Sequence, residues 1–85
     1  MKEIRYVITD PLGVHARPAG LLVKKASSYE SAINISKGDK SVDAKRIFGV
    51  MGMSIKQGDE ITLHIAGADE EVAAKEMEVF MKETL

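Results

Sequence analysis

The sequence predicts an α+β open-faced sandwich, a four-stranded antiparallel sheet with three helices on one face. Three observations carry this reading. Four short segments alternate apolar with polar residues, which gives each strand one apolar face. Two longer segments repeat apolar residues at three- and four-residue spacing, the signature of an amphipathic helix. Turn residues separate the segments in the order βαββαβα. One-faced strands suit an antiparallel sheet that buries a single side.

Each element has its own signal. Over residues 3–9, Ile4, Tyr6 and Ile8 alternate with Arg5, Val7 and Thr9. Asp10-Pro11-Leu12-Gly13 ends that strand as a turn. A helix is expected over Ala16–Ser28, with Pro18 in the first turn, where its missing N–H costs little. Ala19, Leu22, Val23 and Ala26 share its inner face, and Arg17, Leu21, Lys24 and Ser28 share the outer one. Leu21 is thus an apolar residue expected to face solvent between two cations.

Ile33 and Ile35 mark a second strand. Lys37-Gly38-Asp39-Lys40 is a hairpin turn candidate, and Ser41-Val42-Asp43 returns as a third strand. A short helix is expected over Arg46–Met51, cut off by Gly52. After a turn at Gln57-Gly58-Asp59, Ile61, Leu63 and Ile65 define a fourth strand. The last helix is expected to begin at Asp69, a favoured N-cap residue. Ala73, Ala74, Met77, Phe80 and Met81 form its apolar stripe.

Composition bounds the function. The 85 residues fit one small domain, 1–85, with a thin core. Twelve basic against thirteen acidic residues give a net charge of -1, which argues against a nucleic-acid binder. Two Phe, two Tyr and no Trp leave little for base stacking. The lack of cysteine excludes disulfides, thiolate metal sites and cysteine nucleophiles. No apolar run approaches the ~20 residues that span a bilayer, and the start has no signal-peptide pattern. A cytoplasmic protein with no membrane insertion is expected.

The segment Leu12-Gly13-Val14-His15-Ala16-Arg17-Pro18-Ala19 places a histidine at a helix mouth. The first N–H groups of a helix, here those of Ala16 and Arg17, lack intrahelical partners and attract anions. Arg17 adds a permanent cation whose fork suits phosphate oxygens. Imidazole accepts a phosphoryl group only through an unprotonated ring nitrogen, and the helix end and Arg17 both favour the uncharged ring. Taken alone, the same pattern also serves a capping histidine or a simple anion site. His64 sits mid-strand on the polar face and is expected to be merely solvated. Two histidines so placed give no metal-ligand spacing.

Gly13-Val14-His15-Ala16-Arg17-Pro18-Ala19 resembles the active-site signature of the HPr family, the histidine-containing phosphocarriers of the bacterial phosphoenolpyruvate-dependent sugar phosphotransferase system. The resemblance extends along the chain through Lys40–Lys45, Ile47–Met51 and Gly67–Glu70. It implies a sheet order of 1-4-2-3. It also implies that His15 accepts phosphate at Nδ1 from phospho-enzyme I and passes it to IIA domains of sugar permeases, assisted by Arg17. Such a protein is a stoichiometric carrier rather than an enzyme, needs no cofactor, and is expected to act as a monomer. The runner-up is a regulatory or nitrogen-branch paralogue.

A partner surface is expected on separate grounds. Ile47, Phe48, Val50, Met51 and Met53 leave their short helix almost no polar face, and so small a domain cannot bury all of them. Ile47, Phe48 and Met51 are expected outside, with Val50 and Met53 inside. Methionine suits a surface that fits several partners. In the family the docking surface joins the first two helices, which adds Gly20, Leu21 and Lys24. Two departures stand out. Leu12 replaces the small polar residue of many relatives, which moves phosphate binding onto backbone donors and Arg17. Arg46 stands where Gram-positive relatives carry a serine phosphorylated by an ATP-dependent kinase. Arg46 has no hydroxyl, so the resemblance does not extend to that regulation.

Overall fold

The computed structural model describes residues Met1–Leu85. The elements follow the expected order: β1 (Lys2–Val7), α1 (Ala16–Ser27), β2 (Ala32–Lys37), β3 (Lys40–Asp43), α2 (Ile47–Gly52), β4 (Glu60–Ala66) and α3 (Glu70–Thr84). The strands form one antiparallel sheet in the order β1-β4-β2-β3, and the three helices cover one face.

Register explains why the alternation works. Ile4 pairs with Leu63, Leu63 with Ile35, and Ile35 with Val42, so a single apolar row crosses all four strands. Tyr6–Ile61 and Ile33–Ile65 extend that face in adjacent rows. Leu22 and Ala26 of α1, Val50 of α2, and Ala73, Met77 and Met81 of α3 close over it, all fully buried. Each large side chain so buried contributes about 1.5–3 kcal/mol relative to exposure. The helix α1 packs against both α2 and α3, and α3 lies on β1 and β4.

The ends of elements differ from expectation in instructive ways. The first strand stops at Val7 because the next backbone groups find other partners. Ile8 N–H donates to Asp59 O (3.0 Å), and Thr9 and Asp10 N–H donate to Leu85 O (2.8 and 3.0 Å). Asp69 occupies the N-cap position of α3, yet its side chain does not cap the helix. Its carboxylate instead accepts hydrogen bonds from Glu30 N–H and Ser31 N–H (2.9 Å each) and from the Ser31 hydroxyl. Asp69 therefore ties the start of α3 to the turn before β2. The Ser31 hydroxyl is the main reason its carboxyl lies below the usual carboxylate range.

Candidate functional site

The loop between β1 and α1 is shaped by Asp10 and Gly13. Asp10 folds the backbone as an Asx turn: its Oδ1 accepts Leu12 N–H (2.9 Å), and its carbonyl accepts Gly13 N–H (2.8 Å). Gly13 takes a φ of 68°, in the left-handed region that favours glycine. A Cβ there would stand 2.4 Å from Ile55 O. That close approach lets the next residue bond across: Val14 N–H donates to the same Ile55 O (3.0 Å), and the Val14 side chain is buried. The loop is thereby clamped to the segment before β4.

His15 follows as the N-cap of α1, with φ -91° and ψ -170°. Its side chain makes no capping hydrogen bond, and it is 39% exposed. Its carbonyl accepts Ala19 N–H (2.9 Å), which begins the helix. Pro18 has no N–H to offer. The unpartnered donors of the first turn are therefore Ala16 N–H and Arg17 N–H. No acidic residue occupies that turn, and Arg17 forms no ion pair. Two backbone donors, the positive helix end and an arginine with no ion pair thus belong to the same short segment as an imidazole that makes no hydrogen bond. The arrangement suits a tetrahedral oxyanion.

The site is built from more than this one segment. His15, Arg17 and Pro18 line an open depression of about 380 Å³ together with Asp10, Glu83 and Thr84. The Asp10 Oδ2 lies 3.7 Å from His15 Nε2, longer than a hydrogen bond and within reach of charge interaction. Sequence reasoning missed all three of these added residues. Asp10 carried a local signal, the Asp-Pro-Leu-Gly turn. Glu83 and Thr84 reach the site only through the docking of α3, which no local pattern announces.

The expected partner surface divides. Phe48 is 86% exposed, Met51 41% and Leu21 44%, and Gly20 and Lys24 are exposed as well. Val50 and Met53 are buried, as expected. Ile47 departs from expectation: it is half-buried and packs against the core. The reason is helical spacing. Ile47 and Val50 lie three residues apart on the face toward the sheet, while Phe48 and Met51 share the outer face. Leu12 is also exposed, at the edge of the histidine loop.

His64 is a second correction. It is not simply solvated. Its Nε2 lies 3.1 Å from the Ser36 hydroxyl, and its Nδ1 lies 3.7 Å from a Glu3 carboxylate oxygen. Cross-strand pairing places these three residues on the helix-free face of the sheet, away from the His15 corner. No group of three or more His, Cys, Asp or Glu side chains is gathered as metal ligands. No helix is long and apolar enough to cross a membrane.

Fold and corner together define a class: an open-faced sandwich that offers an uncapped histidine at the mouth of its first helix. The family model described as the PTS HPr component phosphorylation site matches residues 2–83. A phosphocarrier protein HPr from Lysinibacillus sphaericus is 42% identical over 83 residues, covering 98% of this chain and 94% of the relative. The histidine-containing phosphocarrier protein of a Mycoplasma superposes with a TM-score of 0.94 at 40% identity, covering 98% of this chain and 94% of the other. An HPr from Thermoanaerobacter tengcongensis, solved as a dimer, superposes with a TM-score of 0.77 at 40% identity, covering 98% and 95%. The chain belongs to the HPr family of phosphocarriers of the phosphotransferase system.

Proposed function

We infer that His15 accepts a phosphoryl group at Nδ1 from phospho-enzyme I, originally from phosphoenolpyruvate, and donates it to IIA domains of sugar permeases. The observation that carries this is the pair of unpartnered N–H groups of Ala16 and Arg17, set with the free Arg17 side chain beside the uncapped imidazole. The Nδ1 lone pair attacks phosphorus as the donor's bond to phosphorus breaks, and the donor keeps that electron pair. The backbone donors and Arg17 hold the equatorial oxygens, where charge is spread during transfer. Phe48, Met51, Leu21, Gly20 and Lys24 receive the partners, with Ile47 supporting them from below. The carrier works in the cytoplasm as a monomer, which light scattering distinguishes from the dimer form in which relatives have been solved.

The test is incubation with phosphoenolpyruvate and enzyme I, followed by intact-mass analysis. One acid-labile, base-stable phosphoryl group is expected. The substitution His15→Ala should abolish it, and His64→Ala should leave it in place. Normal phosphorylation of the His15→Ala protein would overturn the reading.

A further inference from the structure

We propose that Asp10 is a positioning residue for His15: its carboxylate holds the imidazole proton on Nε2 and so leaves Nδ1 free to attack phosphorus. The proposal deepens the carrier function inferred above and rests on it for its consequence in transfer.

The carboxylate is fixed before any ligand arrives. One oxygen, Oδ1, is committed to Leu12 N–H at 2.9 Å. The residue's own N–H is held by Leu85 O at 3.0 Å, and its carbonyl by Gly13 N–H at 2.8 Å. The remaining oxygen, Oδ2, faces Nε2 at 3.7 Å. Both side chains are partly shielded, His15 at 39% and Asp10 at 29% exposure. The other charged groups lining the depression are Arg17 and Glu83. Of these carboxylates, Asp10 is the one at ion-pair distance from the ring.

A neutral imidazole carries one N–H and one lone pair. A carboxylate opposite Nε2 favours the form with the N–H at that end, which puts the lone pair on Nδ1. When Nδ1 bonds to phosphorus, the ring takes on positive charge, shared with the Nε2–H that faces Asp10. When the phosphoryl group leaves, the electrons of the N–P bond return to Nδ1. The proton stays on Nε2 throughout, so neither direction of transfer requires a proton to move. A part-exposed charge pair of this kind accounts for a bias of at most about fivefold.

The experiment uses the full chain with ¹⁵N-labelled histidine. The Asp10→Asn variant keeps an oxygen for Leu12 N–H and removes the charge; Asp10→Ala removes both. Long-range ¹H–¹⁵N correlations, recorded in mildly alkaline buffer, read the two His15 tautomers. The unaltered protein should be predominantly Nε2–H. Asp10→Asn should raise the Nδ1–H fraction and slow phosphate uptake from phospho-enzyme I, each by up to about fivefold. Its urea unfolding midpoint should stay unchanged. An unaltered tautomer ratio in Asp10→Asn would overturn the proposal. So would a change confined to Asp10→Ala, which would assign Asp10 to the turn alone. A shifted ratio with unchanged uptake would also overturn it. Failure of the unaltered protein to take up phosphate would instead sink the carrier reading, while the tautomer ratio still decides the role of Asp10.

Discussion

Arg17 is the side chain of the site with nothing else to do. It forms no ion pair within the chain and lines the same depression as His15. A guanidinium bonds phosphate through two parallel N–H groups, whereas an ammonium is a point charge. Arg17→Ala should therefore slow transfer by about 10- to 100-fold, the loss of a hydrogen bond to a charged group. Arg17→Lys should fall between the two. Rapid-quench transfer from phospho-enzyme I checks the order, and equal rates for all three proteins would make Arg17 a bystander. At this scale the placing of His15 and Arg17 together at one helix mouth was legible because they lie two residues apart in sequence. The role of Asp10 was not, because an aspartate before proline reads first as a turn. Which way its second oxygen points depends on the helix that follows.

Among the elements, α2 shows best where pattern reading stops. Six residues with almost no polar face obscure which side is buried, although placing Val50 inward already places Ile47, three residues before it, on the same side and Phe48 outside. At 86% exposure, Phe48 contributes little to the core. Phe48→Ala should change stability by no more than ~0.5 kcal/mol. A core aromatic would cost about 3–5 kcal/mol. If Phe48 anchors a partner, the same change should slow transfer at least about fivefold, as interface anchors do. Urea unfolding beside transfer kinetics separates the two, and a large stability loss with normal transfer would assign Phe48 to folding. The start of α2 carries a second expectation. Arg46 has the extended N-cap conformation, φ -117° and ψ 111°, with no capping side chain. Serine suits that position, so Arg46→Ser should stabilise the protein by about 0.5–1 kcal/mol in urea unfolding. It should also create a substrate for the kinase that modifies serine-bearing relatives. A phosphate there would add about -1.5 to -2 charges at the edge of the proposed docking face. Kinase modification of the unaltered protein at Ser41 or Ser54, with loss of transfer, would contradict this account of Arg46.

Over the whole molecule, carboxylates add to buried loop residues such as Val14, Met53 and Ile55 in holding the loops. Asp69 binds the turn before β2. Asp59 binds Lys56 N–H (2.8 Å) and Lys37 Nζ (3.0 Å), and the Lys56 N–H is the first cause of its lowered pKa. Both groups have folded-state values below the usual carboxylate range. Their stabilisation is complete above that range and is lost as pH falls from it through the lower folded-state values, because the unfolded chain takes up protons first. The urea midpoint should fall as pH drops below about 5 and on through the lower folded-state range, and the fall should be shallower in a protein carrying Asp59→Asn and Asp69→Asn. Equal pH profiles would show that other carboxylates set acid sensitivity. The sheet was legible from alternation because every buried strand residue obeys one rule. The ties of Asp69 to Ser31 and of Asp59 to Lys37 were not, since each joins residues far apart in sequence, whereas Asp59 to Lys56 is a local turn. A longer tie, made mainly by backbone groups, bears on the protein's synthesis. Thr9 and Asp10 are fastened to the carbonyl of Leu85, 76 residues on in the case of the Thr9 hydroxyl. The helix that brings Glu83 and Thr84 to the histidine follows every strand of the sheet in the chain. A nascent chain can pair β2 with β3 early, but the histidine corner cannot close until residue 85 has cleared the ribosome. A chain translated only through β4 would therefore hold its histidine in an unfinished corner, and competence for transfer should await α3.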